Sequence, residues 1–309
     1  MKSKTIFSLK TAEQVRESQT GDMLMQIRDM YIDLYKDIQK QLKKNKGVIS
    51  NTQLLLLRRQ ILQSIEDIDE QLSSDIEDAM ITTSRAVVED TIEFLRKIGF
   101  EDKEVANAFY YVPDSIVRQI ASGNVYQNGW TLSKAIWGHT KDFNSKLSTI
   151  ISRGTAQGKS AYDIAKDLEK YVNPSQAKES RKIPFVDLKT GRKKTFYFGN
   201  VDYNAQRLAR TMISHAYQQS FRMVNDKDPF VTEYVWHSSM QHGRTCKLCM
   251  ERNGQHFKKE ELPEDHPNGM CTYEAYIPYT MVEIGRMIGE WYNSPSGTFP
   301  ELDEYVNTF

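Results

Sequence analysis

The spacing of apolar residues predicts two long amphipathic helices in the first third of the chain. Between residues 22 and 44, and again between 54 and 99, apolar side chains recur at steps of three or four, which places them on one helix face. An Asn-Lys-Gly break at 45–47 and a capping-box spacing at 50–53 separate the two segments. Because the connection is short, we expect the two helices to form an antiparallel hairpin.

Shorter elements follow in the rest of the chain. Apolar spacing predicts further helices at 104–120, 132–154, 161–171, 203–223 and 280–292. Two apolar runs, 183–188 and 194–198, flank a glycine-bearing loop and predict a β-hairpin, and 231–237 is typical of a strand.

The predicted fold class is therefore mainly α. We expect an elongated helical protein with a long helical hairpin, one β-hairpin and a small C-terminal region resembling a zinc knuckle. The predicted regions are an N-terminal helical hairpin region (1–120), a central helical region with the β-hairpin (121–224) and a C-terminal Cys/His region with the last helix (225–309).

Charge is balanced overall but segregated along the chain. The sequence has 41 Lys plus Arg and 41 Asp plus Glu, which argues against a histone-like protein or an acidic mimic. Residues 106–222 nevertheless carry a net charge of +10, whereas 51–105 and 223–309 each carry −7. Such blocks suit intramolecular pairing, which we favour, or docking onto charged partners. The sequence has neither a membrane-length apolar run nor a signal-peptide pattern, so we expect a soluble protein made in a cytoplasm.

The second long helix has an acidic face. It is formed by Glu66, Asp67, Asp69, Glu70, Asp75, Glu77 and Asp78. A solvated helix face is the simpler interpretation, and a docking surface for a basic partner is the alternative.

Three cysteines and a histidine have the spacing of a metal site. Cys246 and Cys249 form a C-x2-C pair, and His266 and Cys271 follow as H-x4-C after sixteen residues. Two ligands three apart grip one ion from a tight turn, and a second pair completes a tetrahedron of the ligand types that suit Zn²⁺. Four protein ligands favour a structural zinc over a catalytic one.

Alternatives stay open for this cluster. His242 or His256 is a substitute for His266 as the imidazole ligand. Three reduced cysteines beside a chance histidine would also give this pattern, and their odd number argues against a disulfide framework.

The same segment resembles a known family. The pattern is Trp236-x9-Cys246-x2-Cys249-x4-Gly254-x2-Phe257, followed by His266-Pro-Asn-Gly-Met-Cys271. It is similar to the closing segment of the phage Mu protein F-like family, the minor head or head morphogenesis proteins of tailed phages. Gly269 stands where the family often has a cysteine.

Upstream motifs extend this resemblance to about residues 120–278. Ala209-Arg210-Thr211, followed by Ala216, is similar to the family's "ART…A.N" helix, although Met212 stands where an acidic residue is common. The segments 132–137 and 158–164 also resemble the family.

The resemblance implies a virion component rather than an enzyme. Such proteins associate with the portal protein, enter the procapsid in the host cytoplasm, and act in head assembly and in DNA packaging and ejection. The implied location is the capsid interior or the portal vertex. The scaffold or major capsid protein and double-stranded DNA are further candidate partners.

The basic middle block supplies candidate DNA contacts, which bind phosphates by charge alone. The candidates are Arg181, Lys182, Lys189, Arg192, Lys193 and Lys194 around the β-hairpin, with Arg207 and Arg210 on one helix face. For the hairpin tip, contact with DNA or the portal protein and a solvated surface carry equal weight. For the arginine pair, a solvated face with intramolecular salt bridges is slightly favoured.

Two other functions are compatible with the sequence. A metal-dependent nuclease, or another DNA-acting enzyme with a Cys/His-stapled site, needs further ligands and a general base. His237, His242 and Asp265 are available for these roles, without a recognised spacing. A structural adaptor differs from a head protein of this kind mainly in making no contact with DNA.

Overall fold

A computed structural model describes residues 5–7, 9–44, 51–98, 112–122, 145, 149–159, 163–164, 167, 182–187, 192–197, 203–239 and 245–307. Helices dominate, so the predicted mainly-α class is confirmed. The elements are β1 (Thr5–Phe7), α1 (Lys10–Lys44), α2 (Asn51–Lys97), α3 (Val112–Ala121), β2 (Lys182–Asp187), β3 (Arg192–Tyr197), α4 (Tyr203–Asn225), β4 (Glu233–His237), α5 (Lys247–Arg252), β5 (His256–Lys258), a 3-10 turn (Lys259–Glu261), β6 (Thr272–Ile277), α6 (Met281–Tyr292) and α7 (Pro300–Asn307). None of the described helices is long and apolar enough to cross a membrane.

The apolar seam predicted for α1 is buried, but the helix begins earlier than expected. Leu24, Ile27 and Leu34 are at most 4% exposed, as a core-facing stripe requires. The first three turns bury Ala12, Arg16 and Thr20 instead. Because these residues are small or polar, the apolar period gives no sign of helix before residue 22.

The beginning of α1 is joined to the C-terminal half of α2. The backbone N–H of Ala12 donates a hydrogen bond of 2.9 Å to Oδ2 of Asp90. A carboxylate that accepts an N–H at a helix N-terminus satisfies one of the four orphan donors there and interacts favourably with the helix dipole. This contact between the start of one helix and the far end of the next is the one expected from the predicted antiparallel hairpin.

The shorter predicted elements are recovered where the structure describes them. The helix predicted at 203–223 corresponds to α4, and the one at 280–292 corresponds to α6. Thr280 caps α6 in a capping box, because its hydroxyl accepts the Glu283 N–H while the Glu283 carboxylate accepts the Thr280 N–H. Of the helices predicted at 104–120, 132–154 and 161–171, only parts lie within the described residues, and these parts are helical.

The chain divides into two compact units, each made of non-contiguous stretches. The first unit contains 1–16, 80–119 and 213–309, and the second contains 17–79 and 120–212. The C-terminal Cys/His region therefore shares a unit with the start of the chain. The division into consecutive regions 1–120, 121–224 and 225–309 stays a prediction.

The second unit contains the predicted β-hairpin. Strands β2 and β3 pair antiparallel, with Lys182 opposite Tyr197 and Asp187 opposite Arg192. The strands begin one and two residues before the predicted runs. Four residues separate them, a length typical of a hairpin loop.

A four-stranded antiparallel sheet organises the first unit, in the order β1-β6-β4-β5. Burial alternates along β4 and β6, which places Tyr234, Trp236, Tyr273 and Ala275 in the core. From α4, Phe221 packs against the same face, with its ring centroid 5.2 Å from that of Tyr234. This edge-to-face packing fixes α4 over the strands that carry the Cys/His region.

The turn from α4 to β4 contains a buried carboxylate. Asp228 is 3% exposed, and its Oδ1 accepts the backbone N–H of Phe230 at 2.8 Å. Burial raises the pKa of Asp228 to about 6, and the Phe230 hydrogen bond and the nearby Lys259 ammonium only partly offset this effect. The folded protein therefore binds a proton at Asp228 more tightly than the unfolded chain does.

Substitution Asp228→Asn should stabilise the protein at pH 7. A carboxyl with a raised pKa in the folded state lowers the free energy of unfolding as the pH rises from about 4 to 6, by at most about 3 kcal/mol. The amide keeps an acceptor for Phe230 without the charge, so the pH slope should flatten in denaturant titrations at pH 4 to 7. Asp228→Ala is the control, because it leaves the Phe230 N–H without an acceptor and should gain less. If the free energy of unfolding of Asp228→Asn changes with pH as it does in the wild type, Asp228 does not have a raised pKa in the folded state.

Candidate metal centre

The C-x2-C pair lies at the start of α5. Cys246 is the N-cap residue, and its Sγ accepts the backbone N–H of Cys249 at 3.4 Å. Sulfur thus takes the place of the oxygen acceptor that usually caps a helix. The cap turns both cysteines toward one another, and Cys249 is only 1% exposed.

The second pair lies in the tight loop before β6. Asn268 has a positive φ of 67°, and the Gly269 N–H donates to the His266 carbonyl at 2.8 Å. This turn brings His266 beside the first pair, with 3.2 Å between its Nε2 and Sγ of Cys246. Cys271, 2% exposed, follows on the buried side of the loop.

His266 is oriented as a metal ligand would be. Its Nδ1 lies 3.1 Å from the carbonyl oxygen of Pro267. Because a carbonyl only accepts, Nδ1 carries the proton and Nε2 presents its lone pair toward the cysteines. Burial lowers the pKa of His266, but the Pro267 hydrogen bond and the nearby Asp265 and Cys246 outweigh it, so the net shift is upward.

The donor atoms form two overlapping triads. Cys246, Cys249 and His266 make the outer triad, and Cys249, Asp265 and Cys271 make the inner triad. Within each triad the ligand atoms lie within 4.8 Å of one another. The four predicted ligands are therefore brought together around Cys249, but they do not all fall within one such group.

The spacing of these donors fits a tetrahedral ion. With bonds of about 2.3 Å to sulfur and 2.0 Å to nitrogen, a tetrahedral zinc site needs about 3.8 Å between two sulfurs and about 3.5 Å between sulfur and nitrogen. The cluster can therefore hold a metal ion after small side-chain movements. Thiols and an imidazole are ligand types that suit zinc, so zinc is the ion that we propose for this cluster.

The environment of the thiols differs across the cluster. The Cys249 N–H and His266 lower the pKa of Cys246. Burial raises the pKa of Cys249 and of Cys271. Around Cys271, the indole of Trp236 and the backbone N–H of Ser239 favour the thiolate. A bound divalent cation would drive both buried thiols to the thiolate form, since coordinating thiols are deprotonated.

Asp265 is the centre of the loop, a role that no spacing in the sequence predicts. It is 5% exposed, and its Oδ1 accepts the His266 N–H at 2.9 Å. Its Oδ2 accepts the Cys271 N–H at 3.1 Å and Nε2 of Gln218 at 3.4 Å. A Cβ at Gly269 would collide with this carboxylate. The loop is thus built around Asp265, and a missing side chain at 269 was the only sign of it in the sequence.

Residues from two distant helices hold the carbonyls of the loop. Nη1 of Arg16 donates to the Cys271 oxygen at 3.2 Å, and Nε2 of Gln218 donates to the same oxygen at 3.0 Å. The Ser214 hydroxyl donates to the Gly269 oxygen at 3.0 Å. Buried carbonyls need such donors, so α1 and α4 fix the loop that carries the ligands. Nothing in the sequence pairs these residues with the loop.

The other residues of the Trp-Cys-Cys-Gly-Phe motif are Trp236, Gly254 and Phe257, and they pack next to the site. Trp236 is fully buried, and its ring centroid lies 5.2 Å from that of Tyr273 and 6.4 Å from that of Phe257. Gly254 has a φ of 76°, which favours glycine, and its N–H donates to the Trp236 carbonyl at 2.8 Å. The motif residues therefore form one packed unit.

The other histidines lie outside the triads or outside the described residues. Nδ1 of His256 is 2.8 Å from Oε2 of Glu233 on β4, and this residue belongs to neither triad. The structure therefore does not place His256 in the cluster in place of His266, an alternative that the sequence left open. His237 pairs with Glu274 at 2.7 Å, which raises the pKa of its imidazole, and it is likewise in neither triad. His242 lies outside the described residues.

The candidate DNA-binding residues divide into three groups. Lys182, Arg192, Lys193 and Lys194 lie in the β2–β3 hairpin, whereas Arg181 and Lys189 lie outside the described residues. Arg207 is exposed on α4. Arg210 is only 7% exposed, so the solvated face that was slightly favoured for this pair is not observed at Arg210. On a helix that is buried on most sides, two arginines three apart do not both reach solvent.

Comparisons of the chain with protein families, with curated proteins and with solved structures give no match.

Loss of the shared ligand should abolish metal binding. We expect native mass spectrometry of the wild-type protein to show one zinc, and Cys249→Ser, which breaks both triads, to show none. When free zinc is present at 1,000 times its dissociation constant, binding adds about 4 kcal/mol to the free energy of unfolding. Removing the zinc should cost the wild type this amount of stability. Chelator should then lower the melting temperature of the wild type but not of Cys249→Ser. His256→Ala is the control and should keep its zinc; a metal-free wild type would contradict the site.

Proposed function

We propose that this protein is a non-enzymatic minor head protein of a tailed phage. It associates with the portal protein and acts in head assembly and in DNA packaging and ejection. The observation that carries the proposal is the packed unit of Trp236, Phe257 and the Cys/His loop. Residues that resemble the closing segment of the phage Mu protein F-like family are neighbours in space as well as in order.

The burial of the cluster supports a structural rather than a catalytic metal. Cys249, Asp265 and Cys271 are at most 5% exposed. A catalytic zinc keeps an open position for water or substrate, whereas a structural zinc is enclosed by protein ligands. In this proposal the ion holds α5 and the loop before β6 together and takes no part in a reaction.

The acidic face of α2 is our candidate portal-docking surface. Glu66, Asp67, Glu70 and Asp78 are exposed along about three turns of the helix. Clustered carboxylates with few cationic neighbours attract a basic partner over a distance set by ionic strength.

The portal prediction is tested by co-expression with the portal protein of the same phage. We expect the two proteins to co-elute in size-exclusion chromatography. Reversing the charges of Glu66, Asp67 and Glu70 to lysine should weaken the complex at least tenfold, because like charges would then meet at the interface.

A matched control reverses three exposed carboxylates of the other unit. These are Glu260, Glu261 and Glu290. If both triple variants bind equally, the acidic face is not the docking surface. If the wild-type protein does not associate with the portal, the head-protein function itself is contradicted.

The β2–β3 hairpin is our candidate DNA contact. Register places Lys194 opposite Phe185 and Lys193 opposite Val186, so two consecutive basic residues lie within a short antiparallel ribbon. Lysines bind phosphates without reading base sequence, which suits a protein that handles a whole genome.

Neutralising two of these lysines should weaken DNA binding in a salt-dependent way. Lys193→Ala with Lys194→Ala should reduce the slope of log affinity against log salt by about 2, because each phosphate contact contributes about 0.9. Fluorescence anisotropy with double-stranded DNA at several salt concentrations measures the slope. The control is Lys36→Ala with Lys97→Ala, two lysines that are 65% and 63% exposed on α1 and α2.

The result also separates the alternative functions. Equal slopes for both double variants would assign the effect to net charge rather than to the hairpin. No DNA binding at all would favour a structural adaptor. Cleavage of DNA with added Mg²⁺ or Zn²⁺ would favour a nuclease.

A further inference from the structure

The inner triad places a carboxylate where a metal ligand is expected. Oδ1 of Asp265 lies 3.8 Å from Sγ of Cys249, and Cys271 completes the triad within 4.8 Å. All three residues are buried, with exposures of 1%, 5% and 2% for Cys249, Asp265 and Cys271. In the outer triad, by contrast, the His266 side chain is 42% exposed.

The N–H groups around Asp265 leave one oxygen site on the side of the cysteines, and the Cys249 thiol donates to it. A carboxylate offers about four acceptor sites. Three accept N–H groups, from His266, Cys271 and Gln218. Only one of these N–H bonds is to Oδ1, and the other donor to Oδ1 is the Cys249 thiol, so an ion that displaces the thiol proton would find an acceptor there.

The distance between Cys249 and Asp265 suits an ion between them. Tetrahedral zinc, with bonds of about 2.3 Å to sulfur and 2.0 Å to oxygen, separates these two atoms by about 3.5 Å. The observed 3.8 Å is close to this value. A metal ion would take the place of the thiol proton that Cys249 now directs at Oδ1.

The space in the loop and the charge of the buried groups both support a cation beside Asp265. The loop has no room for a side chain at Gly269, because the Asp265 carboxylate fills that volume. Burying a carboxylate beside two thiols is costly unless a cation or hydrogen bonds compensate. Binding of a divalent cation, with release of the thiol protons, turns this cost into attraction.

We propose that Asp265 is a direct metal ligand. The ion is bound in the inner triad by Cys249, Asp265 and Cys271. The fourth donor is one residue of the outer pair, Cys246 or His266. The site therefore takes a divalent ion of zinc type through mixed sulfur and oxygen coordination. This proposal concerns metal ligation alone and does not rest on a role in a phage head.

Replacing the carboxylate with a thiol tests the proposal directly. The full chain carrying Asp265→Cys is stripped of metal and loaded with Co²⁺, whose sulfur-to-metal absorption grows with each bound thiolate. If position 265 binds the ion, absorption per cobalt should rise by about one third to one half, as three or two thiolates become four or three. The new thiol should also resist alkylation while cobalt is bound.

The matched control is Glu264→Cys, which adds a thiol at an exposed neighbouring position. It should leave the cobalt absorption unchanged, and its new thiol should be alkylated. If Asp265→Cys behaves like Glu264→Cys, Asp265 is not a ligand and the proposal is overturned.

A second variant covers the case in which Asp265→Cys fails to fold. Asp265→Asn removes the anionic donor, and we expect its zinc affinity to fall more than about 100-fold, with a changed cobalt d–d spectrum. Residues that only support a ligand typically change affinity by about 10–100-fold. Gln218→Leu removes such a support and should stay within that range with an unchanged spectrum. An unchanged spectrum in Asp265→Asn would assign Asp265 to the supporting class and overturn the proposal.

Discussion

The charge of Asp265 has to be compensated away from water, and the C-terminal region is arranged around that requirement. An isolated buried carboxylate is far too costly to persist, so its oxygens must receive donors from the protein. Two of these donors are backbone N–H groups of its own loop, which fixes the loop conformation. The third, from Gln218, comes from α4 and ties the loop to the helix behind it. Ligand positions follow from this arrangement, since His266 and Cys271 are the residues whose N–H groups are used.

Residues outside the loop also fix its conformation, through hydrogen bonds and aromatic packing. Its last carbonyls accept hydrogen bonds from Arg16, Ser214 and Gln218, so the buried backbone oxygens at the end of the loop are satisfied. Behind it, Trp236 and Phe257 connect the motif to the sheet through aromatic packing. The cysteines are consequently pre-positioned by hydrogen bonds and packing, and an ion would add to an arrangement that the chain already favours.

Features with a local period or spacing could be predicted from the sequence, and features set by tertiary partners could not. The seam of α1 from residue 24 onward follows from an apolar repeat of 3.6. The β2–β3 pairing follows from two apolar runs around a glycine-bearing loop. The C-x2-C turn follows from ligand spacing. The first turns of α1 were missed because they bury Ala12 and Arg16, residues with no apolar period. Arg210 was grouped with Arg207 by its helical spacing, which does not show how far α4 is buried. The role of Asp265 was missed because its partners, two backbone N–H groups and Gln218, form no spacing pattern in the sequence.

Strand β1 gives the chain an unusual order of assembly. It spans Thr5–Phe7 and pairs with β6, with Thr5 opposite Ile277, so strands that are far apart in sequence must meet before the sheet is complete. Contacts between residues so far apart in sequence form late and slowly. During synthesis, the amino-terminal residues leave the ribosome long before their partner strand exists. The helices between them can therefore form cotranslationally, whereas the unit with the Cys/His cluster closes only after β6 has emerged.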